Sequence, residues 1–132
     1  MGLKEIEMMA VAVRGHIDKI YLHWSAGYYD TVFDDYHINI QGDGEIVVTG
    51  GFGEIKAHTW QRNSGSIGVS LCCAYNATSN DLGEEPPTEI QIEKMTQVIA
   101  HLAKGLDIPI DKQHVLTHGE AANNKDGLTP HT

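Results

Sequence analysis

Positive charge is scarce in this chain. Nine Lys and Arg stand against eighteen Asp and Glu, a net charge of −9. Nucleic-acid binding rests on neutralising phosphates with basic side chains, so this balance argues against it. It argues equally against an anionic membrane surface, but leaves the substrate open, because a pocket carries its own local sign. Long hydrophobic runs are also missing. No stretch approaches the roughly 20 apolar residues of a membrane-spanning helix. Met1-Gly2-Leu3-Lys4-Glu5-Ile6-Glu7 carries acids where a signal peptide would carry an apolar run. The expectation is a chain made in the cytoplasm and not inserted in a membrane. Cysteine occurs only as the neighbours Cys72 and Cys73, on an expected strand. Neighbours on a strand face opposite sides, so the two cannot hold one ion, and a disulfide between them would be strained. They are expected to be reduced core thiols, which suits a reducing compartment. Gly50-Gly51-Phe52-Gly53 departs from G-x-G-x-x-G, and a phosphate loop is not expected there.

What is present is enough for one domain. The 132 residues can bury a core without disulfide staples, and 14 glycines point to many turns. Residues 3–14 read as an amphipathic helix with Ile6, Met9, Ala10 and Val13 on one side and Gly15 as a stop. Residues 18–24 read as a buried strand, and 25–35 as loop. Tyr36-His37-Ile38-Asn39-Ile40 alternates as a strand. Gly42-Asp43-Gly44 is a hairpin signal, with a return strand over Glu45–Thr49. Ile67–Tyr75 is the most apolar strand. Thr88 followed three residues later by Gln91 has the capping-box pattern. Ile92, Met95, Ile99, Leu102 and Leu106 then make a helical stripe, with Gly105 and Pro109 as its end. A last strand is expected over His114–Thr117. The order predicts an α/β (α+β) fold: a mixed central sheet of about five strands with helices packed on it. The tail from Gly119 to Thr132 has no apolar periodicity, and the natural chain is expected to continue past it.

Two segments carry the chemistry. Leu22-His23-Trp24-Ser25 and Leu116-Thr117-His118-Gly119-Glu120 are each a β-forming run that stops at a histidine. A histidine at a strand end is rigidly held, and neutral imidazole is the commonest protein ligand for zinc. Each alone is equally a partly buried histidine bonded to backbone. Tyr36 is either packing or a hydroxyl that orients water or donates to an oxyanion. His58-Thr59-Trp60-Gln61-Arg62-Asn63 suits a polar cleft wall, or an ordinary exposed loop.

The ordered set Leu-His-Trp-Ser-Ala, Tyr-His-Ile-Asn-Ile with Gly-Asp-Gly, Ala-His-Thr with Asn63, Ser-Ile-Gly-Val, Pro-Thr-x-x-Gln and Leu-Thr-His resembles the zinc-dependent N-acetylmuramoyl-L-alanine amidases. These are the type 2 amidases, related to peptidoglycan recognition proteins and phage endolysins. The resemblance spans about residues 18 to 120. It implies zinc as cofactor, with His23 and His118 as two ligands, Tyr36 in catalysis, and His58 and Asn63 in the substrate cleft. It gives Ser66-Ile67-Gly68-Val69 a structural role.

Family members supply a third ligand downstream, a cysteine or aspartate. Here no cysteine follows His118. Asp126 has the spacing but sits in a turn-like Asn-Asn-Lys-Asp-Gly run, and His131 is almost terminal. Asp126, a residue beyond Thr132, and no third protein ligand all remain open. Glu120 is either a proton-transfer group near the metal or a solvated carboxylate. The resemblance implies bacterial peptidoglycan as partner and cleavage of the amide between N-acetylmuramic acid and L-alanine. The expected setting is a phage or prophage endolysin that reaches the wall after membrane permeabilisation. A wall-recycling enzyme, a zinc hydrolase of another amide, and a non-catalytic peptidoglycan-binding module are the alternatives.

Overall fold

The computed structural model describes residues 1–56, 65–76 and 83–117. Within them the chain runs α1 (Leu3–Val11), β1 (Lys19–Trp24), β2 (Ile38–Ile40), β3 (Ile46–Val48), β4 (Ser66–Leu71), α2 (Glu89–Leu106) and β5 (Val115–Thr117). The strands form one five-stranded sheet in the order β3-β2-β4-β1-β5. Strand β4 lies between β1 and β2, parallel to both. Strand β5 extends the parallel part, and β3 is an antiparallel edge. The expected mixed sheet with helices on it is the observed one.

Strand alternation divides the sheet into two unlike faces. Ile20 of β1, Ile38 and Ile40 of β2, and Ile67, Val69 and Leu71 of β4 share a core with Ile6 and Ala10 of α1 and Val98, Leu102 and Leu106 of α2. Each isoleucine, leucine or valine among them, fully buried, contributes about 1.5–3 kcal/mol. The intervening residues point the other way. Tyr21 packs with Leu116 in a second, small cluster, and His23, Asn39, Ser66 and Ser70 are polar yet buried.

Local chemistry sets the element ends. In the hairpin, Gln41 N–H donates to Glu45 O at 2.9 Å and Gly44 N–H to Gln41 O at 2.8 Å. Gly44 takes φ +88°, a conformation glycine adopts without strain. The capping box is complete: the Thr88 hydroxyl accepts from Gln91 N–H and the Gln91 side chain from Thr88 N–H. Gln91 does more than cap. It is fully buried, and its Nε2 donates to Ile40 O at 3.0 Å and Cys72 O at 2.9 Å, tying α2 to the ends of β2 and β4.

Three local expectations are corrected. Gly105 does not stop α2; it lies inside the helix, where a Cβ would sit 2.5 Å from Glu7 O and 2.6 Å from Ala10 Cβ. The glycine is there to let two helices touch. The helix ends at Asp107, in the left-handed conformation (φ 59°), and Arg14 donates from Nε to Gly105 O at 2.8 Å. A guanidinium on terminal carbonyls is favoured by the helix dipole. Ile92 is exposed, because the buried stripe runs through Gln91, Val98 and Leu102 instead. Cys72 and Cys73 lie just past β4, not within it, although both are buried as expected.

Candidate active site on the polar face of the sheet

The face opposite the helices holds a row of side chains fixed by strand register. Asn39 of β2 pairs with Ser70 of β4, and Ser70 pairs with His23 of β1. Paired residues point to the same side, so the three lie side by side across the middle of the sheet. His23 is 8 % exposed. Tyr36, two residues before β2, folds over this row. Its ring lies 5.2 Å from the His23 ring, centroid to centroid, at 40°. Its hydroxyl lies near the Ser70 side chain, which favours the ionised phenol and partly offsets the effect of burial. Burial, with a further push from the Asp35 carboxylate, raises the Tyr36 phenol above its ordinary value. The hydroxyl is therefore a neutral donor at physiological pH.

His37, the neighbour of Tyr36, is no ligand. It is fully buried, its Nδ1 accepts from Gly68 N–H at 2.9 Å, and its Nε2 lies 2.6 Å from Glu54 O. The carbonyl can only accept, so Nε2 carries the proton and the imidazole is neutral. Burial is the main cause that holds its pKa below the usual histidine range. Asn39 also turns its amide inward. Its Nδ2 donates to Phe33 O at 3.0 Å and its Oδ1 accepts from Phe33 N–H at 3.2 Å. Burial pushes Cys72 up to about 11 and Cys73 up to about 12, which makes both thiols unreactive.

The structure thus brings together His23 and Tyr36, which the sequence singled out, and adds Ser70 and Asn39, which it did not. One signal could have found them. Tyr21 and His23, Asn39, and Ser66, Gly68 and Ser70 form a period-two polar set interleaved with isoleucines and valines. His58, Asn63, His118, Glu120 and Asp126 lie outside the described residues. Among the described residues there is no group of three His, Cys, Asp or Glu side chains that could hold a metal ion. The part of the candidate zinc site that is described fits the metal in kind. His23 supplies an imidazole nitrogen on a rigid strand, in a buried polar setting. No described helix is long and apolar enough to cross a membrane.

The model of the N-acetylmuramoyl-L-alanine amidase family matches residues 13–130. The chain belongs to this family. The family's fold is also shared by solved structures of low sequence identity. Drosophila PGRP-LB is 22 % identical, with a TM-score of 0.57 over 81 % of this chain and 72 % of its own. The endolysin N-acetylmuramoyl-L-alanine amidase LysCS from Clostridium intestinale is 14 % identical, with a TM-score of 0.59 over 79 % and 71 %. The endolysin of a Thermus scotoductus bacteriophage is 16 % identical, with a TM-score of 0.53 over 80 % and 73 %. No curated protein sequence matches the chain.

Proposed function

We propose that this chain is a zinc-dependent peptidoglycan hydrolase that cleaves the amide between N-acetylmuramic acid and the L-alanine of the stem peptide. The observation that carries the reading is His23, buried beside Tyr36 and Ser70 on the polar face of an amidase-family sheet. The described register adds support. Leu22 pairs with Thr117, and these are the residues that precede His23 and His118 in sequence. His23 and His118 would hold the zinc, with Asp126 as the third ligand this chain offers. Zinc bound there would supply Lewis acidity to the scissile carbonyl and to the attacking water.

The chain's own groups do the rest. The Tyr36 hydroxyl, beside Ser70, donates to the oxyanion as the carbonyl carbon becomes tetrahedral. A preorganised donor of this kind is worth about 3–4 kcal/mol. Glu120 takes up the proton that the attacking water gives up and passes it to the leaving alanine amine as the C–N bond breaks, and His58 and Asn63 hold the sugar and peptide. The biological setting we infer is an endolysin, made in the cytoplasm and acting on the wall once the membrane is permeabilised.

Elemental analysis and digestion of muramoyl-peptide test this together. About one zinc per chain is expected, with cleavage that a chelator abolishes. Mass spectrometry should find an intact sugar and a free alanine N-terminus. His23→Ala should lose zinc and activity while its circular dichroism stays native. Tyr36→Phe should keep zinc and lower kcat roughly a hundredfold. Muropeptide binding without metal or cleavage would instead identify a non-catalytic binding module, and full activity in His23→Ala would refute the ligand assignment.

A further inference from the structure

Lys56 is a buried lysine that the proposed chemistry does not use. Its side chain is 6 % exposed, and its Nζ donates to Asp34 Oδ1 at 2.8 Å and Asp34 O at 3.1 Å, with Glu54 Oε2 at 3.4 Å. An ammonium has three N–H donors, and three acceptors surround this one. Burying such a charge is costly unless it is paired. The hydrogen bond it donates to Asp34 is the main cause that raises its pKa, so the charge persists. Asp34 does not need the pair for its own sake, because its side chain is 87 % exposed.

The partners of Lys56 show what the pair holds. Asp34 lies two residues before Tyr36, within about 7 Å of chain. The residues around Tyr36 are tied down one by one. Phe33 is bound by Asn39 through both backbone groups, and its ring lies over Gly27. Asp34 is bound by Lys56. Tyr36 O accepts from the Thr49 hydroxyl, and His37 Nε2 donates to Glu54 O. Two of these ties, those from Lys56 and to Glu54, join the Tyr36 loop to the same short segment, 54–56. They grip it on either side of Tyr36.

We propose that Lys56 is a positioning residue for the amidase reaction: its ion pair with Asp34 holds the loop that sets the Tyr36 hydroxyl against Ser70 and the Tyr36 ring against His23. The rate effect rests on the amidase reading; the geometric effect does not. Lys56→Met keeps the stem and removes the charge. It should lower kcat at least about tenfold with KM changed less than about twofold, since small misplacements near a reacting centre are costly. In a Tyr36→Phe background the same substitution should change kcat less than about twofold, because the two act as one unit. In the metal-free protein, the nuclear Overhauser contact between the Tyr36 and His23 rings should weaken.

Asp34→Ala serves where Lys56→Met does not fold. It removes one exposed carboxylate and should reproduce the pattern at smaller amplitude. Independent, multiplicative losses from Lys56→Met and Tyr36→Phe overturn the assignment, as does an unchanged ring contact. A wild-type chain that binds muropeptide without cleaving it ends the amidase reading, and the ring contact then decides the role of Lys56 by itself.

Discussion

At the scale of single residues, the polar face depends on groups whose protonation the fold has already chosen. His37 is the clearest. Both ring nitrogens are occupied in the neutral form, and Nδ1 must stay unprotonated to accept from Gly68 N–H. Its pKa is depressed in the folded chain, chiefly by burial. In the unfolded chain it returns to about 6.5. Below that value the unfolded state binds the proton and the folded state does not. The contribution of His37 is therefore full above about pH 6.5 and is lost as pH falls toward the folded pKa. Urea unfolding at pH 7.5 and 5.5 should show the loss. His37→Asn, which offers an acceptor to Gly68 but no titration, should flatten the slope; an equal slope would place the effect on other histidines. The sequence placed Tyr36 and His37 side by side without distinguishing them. Only the packing shows that one turns to the row with His23 while the other is consumed by backbone.

At the scale of elements, the two helices meet closely because Gly105 has no side chain. A methyl there would collide with Glu7 O and Ala10 Cβ. Alanine is the better helix former by about 1 kcal/mol, whereas overpacking costs about 1–3 kcal/mol. Since one colliding atom is backbone, the clash should win. Gly105→Ala is expected to destabilise by about 1–2 kcal/mol in denaturant melts. A stabilised variant would mean that α1 shifts freely. The glycine was legible as a helix breaker by composition, and that reading failed because helix-to-helix distance is not a local property. The same holds for α2's buried stripe. Its period was readable, but its phase was set by Gln91 reaching Ile40 O and Cys72 O, which turns Ile92 outward. The capping box and the hairpin turn needed no such information, because each depends on residues close in sequence; the order of the strands in the sheet, which sets β4 between β1 and β2, did need it.

At the scale of the whole molecule, one sheet separates two functions. The face toward α1 and α2 supplies the aliphatic core, and the opposite face presents His23, Ser70 and Asn39 in a row. A ligand that binds only the folded chain stabilises it by mass action, by about 2.7 kcal/mol at a hundredfold excess over its Kd. Zinc should accordingly raise the melting temperature by several degrees, and a chelator should reverse it. His23→Ala should abolish the shift. The same shift in that variant would show that zinc binds elsewhere, away from the polar face.

What the sequence determined by itself was local or ordered: the alternation of strands, the Thr88–Gln91 cap, the Gly42–Gly44 turn, and a sequence of short segments that matches an amidase family. Tertiary structure decided which buried polar residues do what. Asn39, Ser70, His37 and Lys56 come from separate elements and loops, and nothing within a few residues of any of them announces its partner. Their roles follow from strand register and loop contact, which bring Ser70 between Asn39 and His23 and lay Tyr36 across them. Such neighbours are defined only once the chain has closed on itself.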